Sequence, residues 1–197
     1  MTSASLFPLL LASTSPRRQE LLGRLGIPFT LCNPDIDERP LATEPVSDYV
    51  VRMACEKAAV GCQGSPGPSL VLGADTVGEL GEELLLKPTS VEDACDMLGR
   101  MSGCSHWVHT AFAFRSPEFE YHARISTRVR FRALNANEIK AYCRLGEGLD
   151  KAGSYAIQGR AAAFVDAVEG SYTAVVGLPL SEVAAVLQSL GYRIWKE

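Results

Sequence analysis

Apolar positions along the chain alternate between two rhythms, short unbroken runs of strand length and longer stretches spaced three and four residues apart. The run PLLLAS at 8–13 predicts a buried strand. Leu21, Leu22 and Leu25 then fall on one face of a helix over 16–25, with Ser15 as N-cap, Pro16 at its first position and Gly26 as its stop. FTLCN predicts a second strand. SDYVVRMACEKAAVGCQ predicts a helix capped by Ser47 with Asp48 in its first turn, and GSPGPS at 64–69 a loop. LVLGAD at 70–75 predicts a short buried strand that ends on a carboxylate.

Further on, Thr89 and Glu92 have the spacing of a capping box ahead of VEDACDMLGRM, with Gly103 behind it. SHWVHTAFAF and FEYHARISTRVRFRAL, joined by RSPE, predict two strands. In the second, Val129, Phe131 and Ala133 alternate with Arg128, Arg130 and Arg132. NANEIKAYCRLG predicts a capped helix, and LSEVAAVLQSLGYRIWKE a last helix followed by a final strand. The fold class is α/β with a mixed sheet. GEGLDKAGSYAIQGRAAAF at 146–164 fits neither rhythm; it holds four glycines and several charges, which predicts an ordered binding loop.

Composition narrows the class. The chain has 197 residues, enough for one domain or one domain with two lobes. Hydrophobic content of 47% with 21% charged residues describes a folded globular protein. A net charge of −4 argues against a general nucleic-acid or membrane-surface binder, so a polyanionic ligand must meet a local basic cluster. The six cysteines show no C-x-x-C and no zinc-type spacing, which predicts buried, reduced thiols. No signal peptide or membrane-length run stands out, and a cytoplasmic protein is expected.

The first helix carries the strongest chemical signal. Arg17 and Arg18 place two cations in a first turn whose dipole is already positive, at a cost of roughly 0.3–1 kcal/mol each. Unpaired N–H groups, forked guanidinium donors and the hydroxyls of Ser13 and Ser15 would suit a phosphate; equally, the arginines could pair with Glu20 or another carboxylate on a solvated turn. Asp75 could hold a divalent metal, act as a general base on water, or cap a turn. Glu38 belongs to the acidic cluster DIDER, which by default lies on a solvated surface. Lys57 by default is a surface lysine, and Lys87 is held extended by Pro88. Three residues apart in a strand, His106 and His109 face opposite ways, which makes them structural rather than a metal pair.

Taken together, LASTSPRRQELL, EKA at 56–58, GADTV at 73–77, KP at 87–88, DKAGSYAIQG at 150–159 and VVGLPL resemble, in order, the motifs of the Maf family of nucleoside triphosphate pyrophosphatases. The resemblance implies a single domain over 1–197 with an elongated, two-lobed Maf/ITPase-like α/β fold, a twisted mixed sheet and a central cleft. It also implies a homodimer and hydrolysis of the α–β phosphoanhydride of a nucleoside triphosphate with a divalent cation (Mg²⁺, Mn²⁺ or Co²⁺). Ser13, Arg17 and Arg18 would grip the triphosphate. Asp75 would be the general base or a metal-linked carboxylate, and Glu38 a second acidic group near the metal. Lys57 and Lys87 would offset phosphate charge, and Thr76 and Gln158 would border the base.

DKAGSYAIQG resembles the branch acting on dTTP and UTP, where Gln158 offers the donor and acceptor that match a neutral imide edge. A sister branch directed at 7-methyl-GTP carries Glu there. Two positions depart from the family pattern, Leu86 before Lys87 and Gly78 after the GADTV motif. The alternatives are the same chemistry on 7-methyl-GTP and a nucleotide-sensing regulator that does not hydrolyse.

Overall fold

In the computed structural model, which describes residues 6–195, the apolar run Leu9–Ala12 is strand β1, buried along its whole length. Helix α1 (Pro16–Gly23) follows, then β2 (Phe29–Cys32), α2 (Val46–Gln63), β3 (Leu70–Leu80), β4 (Glu83–Leu85), α3 (Val91–Met101), β5 (Ser105–Arg115), β6 (Glu120–Phe131), α4 (Ala136–Arg144), β7 (Val165–Glu169), α5 (Tyr172–Val176) and α6 (Leu180–Ser189). The strands form one seven-stranded mixed sheet in the order β2-β1-β3-β5-β6-β7, with β4 paired to β3. β1 runs parallel to β2 and β3, whereas β3–β4 and β6–β7 are antiparallel. The expected α/β class with a mixed sheet is therefore what forms.

The chain divides into two compact units. The first comprises residues up to Asp75, Thr110–Arg124 and the segment from Gly177 onward. Its core includes β1 and the α2 residues Val50, Met53 and Ala54, together with Phe112, Phe114, Leu178, Val183 and Leu187. The second comprises Thr76–His109 and Ile125–Val176. There Leu98, Met101, Val129, Phe131, Tyr142, Tyr155 and Phe164 form one apolar cluster. The alternation read in β6 holds over 128–131, with Val129 and Phe131 buried and Arg128 and Arg130 exposed; the strand ends at Phe131, and Ala133, expected on the buried side, is exposed.

Several local expectations are corrected. α2 starts at Val46 with Pro45 as N-cap; Ser47 lies inside the helix and its hydroxyl bonds Asp48. The cap of α3 is Ser90, which accepts from the Asp93 amide, while the Asp93 carboxylate accepts from Thr89; Thr89 and Glu92 do not form the box. Residues 192–195 form no strand, and 196–197 lie outside the described residues. Of the six cysteines only Cys143 is fully buried, and Cys104 is exposed.

The apolar pattern carries no signal for β4, β7 and α5. β4 is three residues long, β7 and α5 five each, too short to show a period. Gly78, one of the departures from the family pattern, sits opposite Leu85 in the β3–β4 hairpin. A Cβ there would lie 3.1 Å from that of Leu85, so the glycine makes room for a fully buried leucine.

Candidate active site

Lys57 lies on the buried face of α2, one turn beyond Met53 and one turn before Gly61. Its ammonium is 2.7 Å from Asp75 Oδ1 and 2.7 Å from Glu38 Oε1. The Lys57 and Asp75 side chains are 7% and 13% exposed, so the pair is withdrawn from water, while Glu38 is half exposed at 49%. Lys57 is thus the buried centre of an ion cluster and not a surface lysine. Close approach of helix to strand makes this possible. A Cβ on Gly73 would lie 2.4 Å from the Ala54 carbonyl and 2.6 Å from the Ala58 amide, so only glycine lets α2 sit this near β3.

Asp75 does not end its strand as expected; β3 continues to Leu80. The neighbouring parallel strand β1, however, stops at Ala12, opposite Gly73. Asp75 is therefore two residues past the carboxyl end of β1, the place where ligands collect in parallel sheets.

Glu38 comes from an irregular segment tied down by α2. The Tyr49 hydroxyl donates to the Glu38 carbonyl at 2.7 Å, and Arg52 donates to the Arg39 carbonyl at 3.2 Å. Arg52 also grips the Glu44 carboxylate with two 2.6 Å bonds, which hold its pKa down to about 2. Burial, with the Asp75 and Glu38 charges adding to it, pushes the Tyr49 hydroxyl up to about 12, so it keeps the proton it donates. The sequence alone does not mark Tyr49 and Arg52; Tyr49 lies on the buried face of α2, whereas Arg52 is only partly buried and lies off that face.

At the start of α1, Ser13 is buried and its Oγ accepts the Ser15 amide at 3.2 Å, leaving its own proton to be donated. Pro16 occupies the first turn, and the Ser15 side chain makes no capping bond. No acidic residue enters that turn, and Glu20 pairs with Arg24 instead. Arg18 Nε donates to the Gly177 carbonyl at 2.9 Å, at the VVGLPL motif. Burial lowers the Arg18 pKa; Asp75 and Glu38 act against that, and Arg17 reinforces it. Ser13, Arg17, Arg18, Glu38, Lys57 and Asp75 therefore all belong to the first unit, where Arg18 feels the acidic pair and Arg17 together.

The remaining candidates belong to the second unit. Thr76 is half-buried on β3, Lys87 is exposed in the segment after β4, and Gln158 is exposed. The Gly153 amide donates to the Leu86 carbonyl at 3.2 Å, so Leu86 serves the loop with its backbone. The stretch 146–164 is ordered as expected, with two short 3₁₀ turns and Tyr155, Ile157 and Phe164 buried. His106 bonds the Tyr155 hydroxyl at 2.7 Å, and His109 bonds Ser126 at 2.8 Å and Glu79 at 2.6 Å, consistent with structural histidines.

Among the described residues no three His, Cys, Asp or Glu side chains gather as a metal cluster. Glu38 and Asp75 supply two hard carboxylate donors, which fits a Mg²⁺-type ion that takes its other ligands from water and substrate phosphates. Among the described residues no helix is long and apolar enough to cross a membrane.

An α/β protein with paired arginines opening its first helix, beside a lysine braced between two carboxylates, has the equipment of a phosphate-handling enzyme. The chain belongs to the Maf family: the model for "Maf-like protein" matches residues 8–190. It is similar to proteins named dTTP/UTP pyrophosphatase. The protein from Methylococcus capsulatus is 47% identical over 93% of this chain and 91% of the relative. The one from Myxococcus xanthus is 50% identical over 93% and 92%, and the one from Hahella chejuensis 44% over 96% and 95%.

Proposed function

We propose that this chain hydrolyses the α–β phosphoanhydride of dTTP and UTP, releasing the nucleoside monophosphate and pyrophosphate. The observation that carries this is the buried Lys57–Asp75 pair with the half-exposed Glu38 on the same ammonium, electrostatically coupled to Arg18 at the start of α1. The names of the relatives supply the substrate.

In this mechanism Asp75 takes the proton of the attacking water. Lys57 holds the Asp75 carboxylate in place through its hydrogen bond to Oδ1. As the bond to the bridging oxygen breaks, pyrophosphate leaves with the electron pair. Ser13, Arg17, Arg18 and Lys87 offset its growing charge. A divalent cation (Mg²⁺, Mn²⁺ or Co²⁺) held by Glu38 and Asp75 would neutralise phosphate oxygens and lower the pKa of water. Thr76 and Gln158 border the base, with the Gln158 amide matching both the donor and the acceptor of the uracil or thymine imide. On this reading the two units are lobes of a single domain, as the family resemblance implies. The enzyme would act in the cytoplasm as a homodimer; sedimentation equilibrium tests the dimer.

The test is a panel of dTTP, UTP, CTP, dATP, GTP and 7-methyl-GTP incubated with Mg²⁺ or Mn²⁺, with products resolved. Monophosphate and pyrophosphate from dTTP and UTP are expected. Turnover of 7-methyl-GTP alone would keep the chemistry and overturn the base assignment; binding without turnover would make the protein a nucleotide sensor.

A further inference from the structure

Gln158 is exposed, yet the backbone on both sides of it is tied to a single carboxylate. The Arg160 amide donates to Glu147 at 3.0 Å and 3.2 Å, to the two carboxylate oxygens. The Ala156 amide donates to the Tyr142 hydroxyl at 3.0 Å, and that hydroxyl in turn donates to Glu147. The amides two residues before and two residues after Gln158 thus converge on Glu147, one directly and one through a phenol. Tyr142 is buried, and both its burial and the Glu147 charge push its pKa up, which keeps the relaying proton on the phenol.

The loop is shaped to admit this carboxylate. A Cβ on Gly159 would lie 2.3 Å from Glu147 Oε1, so the glycine next to Gln158 leaves the space that the carboxylate occupies. Lys151 Nζ donates to the Glu147 carbonyl at 2.5 Å, fixing the same residue from its main chain. An amide side chain distinguishes a thymine imide edge from a cytosine edge only if it cannot turn or shift to suit either.

We propose that Glu147, through Tyr142 and the Arg160 amide, is a positioning residue for base recognition by Gln158. This rests on the assignment of Gln158 to the base made above. The carboxylate touches neither base nor phosphates; it fixes where the Gln158 amide stands, and so how sharply thymine is told from cytosine.

The test compares wild type with Glu147→Ala, Glu147→Gln and Tyr142→Phe, measuring kcat and KM for dTTP and dCTP. Glu147→Ala is expected to raise the KM for dTTP about tenfold and reduce the dTTP:dCTP preference about tenfold, with kcat within about twofold of wild type. Glu147→Gln, which keeps one acceptor, should fall between. A purely structural role would lower the active fraction and hence the apparent kcat, without moving KM or the preference. Should Glu147→Ala fail to fold, Tyr142→Phe, which loses a single hydroxyl, is expected to show the same KM-against-kcat split. Folded variants with wild-type KM and wild-type preference overturn the inference alone. A wild type inert toward every nucleotide, or an active one whose preference survives Gln158→Ala, overturns the assignment on which it rests.

Discussion

Asp75 Oδ1 accepts a 2.7 Å charge-assisted hydrogen bond from Lys57 Nζ, with both side chains largely removed from solvent. Such a pair is expensive to break from one side, because the charge left behind has lost both water and partner. Lys57→Met is expected to destabilise the protein by roughly 3 kcal/mol in urea unfolding. The double variant Lys57→Met/Asp75→Asn should regain part of that loss. An additive double variant would mean that the two charges do not depend on each other.

Asp75→Asn keeps the shape of the side chain and removes its basicity. Turnover of dTTP should fall by 10²-fold or more, the scale of a lost general base, while binding of the triphosphate stays largely intact. Equilibrium dialysis with a labelled nucleotide, set beside steady-state rates, separates the two. Lost binding with an unchanged residual rate would contradict the role.

Arg17 stands in the first turn of α1, where the helix dipole disfavours a cation. Arg17→Ala should therefore change the unfolding free energy by no more than about 1 kcal/mol. The KM for dTTP, in contrast, should rise tenfold or more as one guanidinium leaves the triphosphate. A large stability loss with an unchanged KM would make Arg17 a structural residue.

Gln158→Glu replaces a group that both donates and accepts by one that only accepts when ionised. Activity on dTTP and UTP should drop about 10²-fold, since an imide N–H or carbonyl is left without its counterpart. The ratio of kcat/KM for 7-methyl-GTP to that for dTTP should rise. An unchanged ratio would remove Gln158 from base recognition.

Burial lowers the His106 pKa from 6.5 to about 4. Between those values the unfolded chain binds a proton that the folded chain refuses, so stability rises with pH across this window. His106 thus contributes stability that is complete above pH 6.5 and is lost as pH falls toward 4, about 3 kcal/mol in all. His106→Gln cannot take up that proton. Urea titrations at several pH values should show the gap between wild type and variant shrinking on acidification; a constant gap would mean that His106 does not titrate in this range.

Strands and helices of normal length were legible because burial imposes a period. Leu9–Ala12, the α1 leucines and the Val129–Phe131 alternation each read correctly on that ground. The same logic could have placed Lys57 inside, because it shares the α2 stripe with Met53, Ala54, Ala58 and Gly61. Its charge type argued the other way, and only the Asp75 and Glu38 partners resolve the conflict.

Glu147 illustrates what the sequence could not carry. Its partners are an amide thirteen residues away and the Tyr142 phenol, and neither the GEG motif nor any period links them. Nor could the place of Asp75 be read from β3, because what matters is that β1 stops two residues short of it. β4, β7 and α5 are held by neighbours rather than by pattern, and the final strand expected after Gly191 does not form over 192–195.

Gly73 has no side chain and no titratable group, yet it sets the clearance on which the Lys57–Asp75 contact depends. Even a methyl group there would act as a spacer wedged between backbone and backbone, with no flexible side chain to swing aside. The tightest mechanical tolerance near the chemistry therefore belongs to its least reactive residue, and harm done at position 73 would register as a lost charge contact two residues away.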